Sequence, residues 1–197
     1  MACLAVIPTK ALADGKSRLA DVLDASARAA LTRAMLARVH AAIAGATNIA
    51  GVMVAGPDRN GLPESVPIVP GCGGGLNADL TAALAAANAR NAARLVTVAG
   101  DLPLVTSRDI ELLAAAPDGT IAMAPDRHGT GTNALSLPLP QAGGFSFAFG
   151  TDSFARHSAE AGRLGLRLEV IHSRGLAHDI DEPADLGDVE DLIGHSG

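Results

Sequence analysis

The segment VTVAGDLPL, residues 96–104, runs β-branched residues into a Gly-Asp step and a proline. A short apolar run that ends in turn residues reads as a strand buried on both faces, with its last polar residue left at the strand's carboxyl end. Similar runs rich in Val, Ile and Leu recur at 3–7, 49–55, 66–69, 120–124 and 166–171, and the segment at 96–104 belongs to a run that begins at 94. Helical patterns lie between several of them. The first places Leu31, Met35, Val39 and Ile43 at four-residue spacing before Gly45 as a stop. The second covers 77–91 with Leu80, Ala83, Leu84 and Ala87 inward. A third starts at Thr106, where Asp109 completes a capping box. A last one begins near Asp181, with Pro183 in its first turn and Leu186, Val189 and Ile193 inward. Strands alternating with helices of this length predict a three-layer, Rossmann-like α/β fold with a largely parallel sheet, formed by residues 1–197 as a single domain. The Pro/Gly-rich stretch 137–150 is left as an excursion or a β-hairpin insertion.

Composition narrows the function. At 197 residues with 48% hydrophobic and 18% charged residues, the chain can bury a core without metal or disulfide staples. Four Phe and no Trp or Tyr leave few stacking platforms, and a formal charge of -6 lacks the basic field that a phosphate backbone needs, so polymer nucleic acid is a poor partner. Cys3 and Cys72 are too few for a disulfide framework and have no CxxC spacing, which fits a reducing cytoplasm. MACLAVIPTK reads as a first strand and not a signal peptide, and no run approaches a membrane span. The expectation is a cytoplasmic protein.

Six segments could carry chemistry. In IPTKALADGKSRLA (7–20), Lys10, Lys16 and Arg18 follow the first strand, where a sheet offers its carboxyl edge to a ligand; a solvated basic loop is the plain alternative. The tripeptide Gly15-Lys16-Ser17 imitates the end of a P-loop, but that motif requires glycine where Lys10 stands. GCGGGLN (71–77) opens the second helix with backbone amides that could meet an anion, Gly74 and Gly75 among them, and Asn77 can cap; it lacks the last glycine of a dinucleotide fingerprint. Asp101 could hold a hard cation with Asp179 and Asp181, whose carboxylates share a face if the AHDIDEP segment is extended. Taken singly, Asp101 reads as a turn residue and Asp181 as an N-cap. DRHGTGTNAL (126–135) reads as a loop of hydroxyl and backbone donors for a carboxylate or phosphate, with His128 in a structural or binding role. In FAFGTDSFARH (147–157), Asp152 or Ser153 would cap a helix and His157 would face solvent.

Taken together, these segments resemble the family of 2-phospho-L-lactate and phosphoenolpyruvate guanylyltransferases of coenzyme F420 biosynthesis, nearly end to end. DRHGTGTNAL and the FG-x-x-S-x-x-x-H pattern are particular to that family; DLPL and D-x-D-x-P-x-D-L are shared with related nucleotidyltransferases. The resemblance implies a Rossmann-like nucleotidyltransferase fold, GTP as cosubstrate, Mg²⁺, and a phosphorylated three-carbon acid as acceptor: phosphoenolpyruvate, 2-phospho-L-lactate or 3-phosphoglycerate. It puts the metal on Asp101, Asp179 and Asp181, and the catalytic roles on Lys16, Arg18 and Asp101. It puts the nucleotide against Lys10, Lys16, Gly74, Gly75, Asn77 and Asp101, and the acceptor against Thr132, Asn133, Gly150 and Ser153. A downstream deazaflavin transferase is the implied partner, with a homodimer left open. Another small-acceptor nucleotidyltransferase, of the molybdenum-cofactor or sugar-phosphate type, and a non-catalytic nucleotide-binding module are the alternatives.

Overall fold

The computed structural model describes residues 2–12, 16–70 and 73–189; Gly15, Gly71, Cys72 and Ile193 of the readings above lie outside them, as does the side chain of Val189. Among the described residues seven strands form one sheet: β1 (Cys3–Pro8), β2 (Ile49–Gly56), β3 (Ile68–Pro70), β4 (Arg94–Val98), β5 (Thr120–Pro125), β6 (Thr132–Pro138) and β7 (Arg167–Val170). Their order is β3-β2-β1-β4-β6-β5-β7. Every neighbouring pair is parallel except those made by β6, which runs antiparallel between β4 and β5.

Side chains of each strand alternate between two apolar layers, the consequence of a period of two. Ala5, Ile7, Val96, Val98, Ala122 and Ala124 face α1 (Ala25–Ala44), α3 (Ser107–Ala114) and α5 (Arg174–Ala177). Val6, Met53, Leu95, Ile121 and Met123 face α2 (Leu76–Ala89) and α4 (Ser153–Arg163). The layers are therefore helix, sheet, helix, as expected from the alternation of elements. Helix α1 starts where the Asp24 side chain accepts from the Ala27 amide at 2.7 Å, and buries Leu31, Met35, Val39 and Ile43. It ends at Gly45, as the spacing predicts. The Thr106/Asp109 capping box of α3 is formed in both directions.

Two local readings need correction, and the open one for 137–150 resolves to the excursion. DRHGTGTNAL is a loop only to Gly131; from Thr132 it is strand β6, every residue of which is buried. The strand escapes detection because its first residues are polar, and their burial is possible only between two hydrogen-bonded neighbours. The stretch 137–150 holds no hairpin: β6 ends at Pro138, turns follow over 139–144, and 145–149 runs as an irregular strap. Near Asp181 the chain forms a 3-10 helix, Pro183–Val189, and Asp181 does not cap it; the Asp185 carboxylate does, accepting from the amides of Asp181 and Glu182, each at 2.8 Å.

Candidate active site

The order 3-2-1-4 reverses direction between β1 and β4, and crevices beyond the strand carboxyl ends at such a reversal are where open α/β sheets bind ligands. A cavity of about 250 Å³ lies there. Its floor is Pro8 to Lys10 after β1 and Ala99 to Asp101 after β4, with Leu36, Asn60, Leu76, Lys16 and Asp181 around it. Close backbone approach builds one wall. Gly56 at the end of β2 has φ of +144°, and a Cβ there would collide with the carbonyl of Thr9. Asn60, itself left-handed and 6% exposed, donates from Nδ2 to the Lys10 carbonyl at 2.8 Å.

The charged centre is Lys16, left-handed at φ 53° just before a short 3-10 turn, Ser17–Leu19. Its Nζ donates to Asp101 Oδ2 at 2.5 Å and to Asp181 Oδ1 at 3.1 Å. Burial alone would lower the lysine's pKa; the two carboxylates more than offset it, so the pKa stands above the ordinary value and the amine stays charged. Arg18 is far more exposed, 3.8 Å from Asp181 Oδ2. Asp179 sits deeper. Burial, and then repulsion from Asp101, push its carboxyl above the usual range, while a hydrogen bond from Asn133 Nδ2 at 3.4 Å pulls the other way. Asn133 Nδ2 also donates to the Leu176 carbonyl at 3.0 Å.

Two residues that the sequence reading left unassigned fix this acidic segment. Arg127 Nη1 pairs with Asp185 Oδ1 at 2.7 Å, and its Nη2 donates to the Asp179 carbonyl at 3.1 Å. Burial would raise the Asp185 carboxyl, but Arg127 and the amides of Glu182 and Asp181 draw it down to about 2. The Arg127–Asp185 pair therefore braces the backbone of both Asp179 and Asp181. The D-x-D-x-P-x-D-L spacing contained Asp185, but only the fold shows that one of its oxygens is spent on the segment's own amides and the other on Arg127.

The donor chemistry fits a hard divalent cation: the convergent groups are carboxylate oxygens, burial and then repulsion from Asp101 raise Asp179, and two of the carboxylates already meet at one ammonium. Among the described residues no three His, Cys, Asp or Glu side chains stand close enough to enclose an ion. A closed cage is not required of Mg²⁺-type sites, which combine one or two carboxylates with substrate phosphates.

The other predicted residues fall into two groups beside the cavity. Gly75 is the N-cap of α2 at φ 78°, and lines an adjoining depression with Gly73, Gly56 and Asp79; Gly74 precedes it. Asn77 does not cap. Its side chain pairs with the Phe149 peptide, accepting from the amide at 2.8 Å and donating to the carbonyl at 3.2 Å, and so ties α2 to the strap. Thr132 and Asn133 begin β6, which puts them at the same sheet edge as Asp101 because that strand is reversed. Gly150, at φ +120°, accepts from the Ser153 amide, and Ser153 is the first residue of α4. Asp152 holds the cap position without any side-chain cap bond, so the expected capping is absent there. His157 is not at the surface: it is 1% exposed, between Thr132 and the strap.

Residues 3–195 match the guanylyl transferase CofC-like family. The chain belongs to that family. It is 40% identical to a phosphoenolpyruvate guanylyltransferase of Sphaerobacter thermophilus, covering 100% of this chain and 95% of that one. Identity to the phosphoenolpyruvate guanylyltransferase of Chloroflexus aurantiacus is 39%, over 90% and 89% of the two chains. A solved nucleotidyl transferase from Methanothermobacter thermautotroptrophicus superposes with a TM-score of 0.67 at 16% identity, covering 100% and 99%, a likeness of fold. The chain is thus a nucleotidyltransferase enzyme of Rossmann-like fold, of a class that works on a nucleoside triphosphate with a divalent metal and a small phosphorylated acid. No helix among the described residues is long and apolar enough to cross a membrane.

Proposed function

We propose that this enzyme transfers GMP from GTP to phosphoenolpyruvate, as a step of coenzyme F420 biosynthesis in the cytoplasm. The observation that carries the reading is the Lys16 ammonium held between Asp101 and Asp181 at the β1/β4 crevice, in a chain 40% identical to a phosphoenolpyruvate guanylyltransferase. A phosphate oxygen of the acceptor attacks the α-phosphorus of GTP; the new P–O bond forms as the bond to the β-phosphate bridging oxygen breaks, and pyrophosphate leaves with that electron pair. The acceptor phosphate is already largely ionised near pH 7, so no protein base has to remove a proton.

What the chain supplies is position and charge. Lys16 stands where it can turn from its carboxylates to the phosphates, and Lys10 and Arg18 flank the same opening. Asp101 and Asp181, with Asp179 behind them, would hold Mg²⁺, which when bound withdraws charge from the phosphates. Gly74, Gly75 and the start of α2 offer backbone to the nucleotide, and Asn77 holds that helix to the strap. Thr132, Asn133, Gly150 and Ser153 frame the acceptor.

The test is GTP-dependent pyrophosphate release with Mg²⁺, comparing phosphoenolpyruvate, 2-phospho-L-lactate and 3-phosphoglycerate, with a deazaflavin-joining transferase present to consume the product. Release driven by phosphoenolpyruvate is expected. Release driven only by one of the others would move the acceptor assignment, and release with CTP or ATP but not GTP would overturn the guanylyl assignment.

A further inference from the structure

His157 is a buried histidine on α4 that the mechanism above does not use. Its Nε2 lies 2.9 Å from the Ala148 amide nitrogen, and its Nδ1 lies 3.0 Å from Thr132 Oγ1. A peptide N–H can only donate, so Nε2 must present its lone pair. Burial pulls the imidazole pKa down to about 4, so at neutral pH the ring carries a single proton, and that proton must be on Nδ1. The ring cannot easily rotate away, because Phe149 meets it edge-on with centroids 4.8 Å apart and Phe145 covers it at 5.6 Å.

The consequence falls on Thr132. Its oxygen accepts from His157 Nδ1–H, which leaves the hydroxyl proton to be given elsewhere. Within the protein that proton has Met123 Sδ at 3.7 Å, a weak acceptor. A threonine 6% exposed, already receiving one hydrogen bond, is thereby set to donate to any stronger acceptor that arrives at the start of β6.

We infer that His157 is a positioning residue that fixes the Thr132 hydroxyl as a donor, and so selects an acceptor substrate presenting an anionic oxygen, its carboxylate, at that point. This rests on the placement of the acceptor beside Thr132. A substrate whose group at that position could only donate, such as an ammonium, would leave the Thr132 proton with no partner better than Met123 Sδ and would find only the oxygen's second lone pair to meet it.

The two imidazole nitrogens can be separated by substitution. His157→Asn keeps an amide donor near the Nδ1 position and loses the strap contact; His157→Gln keeps an acceptor for the Ala148 amide and loses the donation to Thr132. The expected result is an acceptor KM raised about tenfold in His157→Gln with the KM for GTP unchanged, and an acceptor KM within about threefold of the parent in His157→Asn. Thr132→Val should raise the acceptor KM as well, and adding His157→Gln to it should raise it no further. If Thr132→Val leaves the acceptor KM unchanged, the acceptor does not lie at Thr132 and the placement itself fails. If Thr132→Val raises it and His157→Gln does not, or moves both KM values together, the placement stands and the inference about His157 is overturned. Long-range ¹H–¹⁵N spectra of the unmodified protein give an answer independent of how the variants fold: a protonated Nδ1 with a bare Nε2 is expected, and a proton on Nε2 overturns the inference.

Discussion

The two halves of the site are built on opposite principles. At the β1/β4 crevice charges hold one another: the buried Lys16 ammonium lies between the part-exposed carboxylates of Asp101 and Asp181, and Asp179 is raised by burial and then by repulsion from Asp101. Around the start of α4, neutral groups sit in an apolar setting of Phe145, Phe147 and Phe149, and the Thr132 hydroxyl is held by His157. On the proposed mechanism the charged half is the one that changes during a turnover. Charges in mutual contact can be exchanged when phosphates arrive, because anionic phosphate oxygens offer Lys16 partners of the same kind as the carboxylates it leaves. A buried neutral network cannot be re-sorted without leaving a polar atom unsatisfied, so it serves as a fixed template.

The hardest blow to this contrast falls on the charged half. Asp101→Asn should lower kcat by about a thousandfold, from the loss of several kcal/mol of charge stabilisation, while circular dichroism shows the fold retained; a near-normal rate in Mg²⁺ would remove Asp101 from the metal. Lys16→Met should cost about a hundredfold in kcat. It should also make the protein's thermal stability depend more steeply on added Mg²⁺, since Asp101 and Asp181 lose the cation they share; a melting curve insensitive to Mg²⁺ would contradict that.

Between the halves stands the Arg127–Asp185 brace. Asp185→Asn should raise the Mg²⁺ concentration for half-maximal velocity about tenfold, as expected when a group that orients metal-binding residues is weakened. Direct titration with Mn²⁺ followed by electron paramagnetic resonance should show the same shift, and unchanged affinity would reduce the pair to a purely structural role.

The neutral half is sharpened by pH. Folded His157 takes a proton near 4, whereas the unfolded chain does so near 6.5. The unfolded state therefore binds more protons between those values, so stability falls as pH drops through that window, by up to about 3 kcal/mol from this group, and it contributes nothing above it. Comparing urea unfolding of the protein and of His157→Gln should show a shallower loss in the variant; equal slopes would mean that the imidazole protonates in place. The smallest effect is expected of Asn77→Ala, about 1 to 2 kcal/mol of stability from two side-chain bonds to the Phe149 peptide.

Much of the charged half was legible beforehand. Lys10, Lys16, Arg18, Asp101 and Asp181 each follow a readable strand or precede a helix signal, and strand ends of a parallel sheet converge on one edge whatever the packing details. The neutral half was not. Thr132 and Asn133 looked like loop residues, Asn77 like a cap, and His157 like a surface residue, because each takes its role from a partner far along the chain: Asn77 from Phe149, His157 from Thr132, Asn133 from Asp179. Hydrophobic periodicity reports which residues face inward, and turn chemistry reports where strands stop; both are local, and so the α/β alternation and the edge at which the strand ends converge were legible in the chain itself. Which polar groups are buried, and which atom of each donates, depends on the antiparallel insertion of β6 between β4 and β5 and on the strap folded over α4. Only the tertiary structure decided those, because a polar side chain is stable inside a protein only when a specific partner is brought to it.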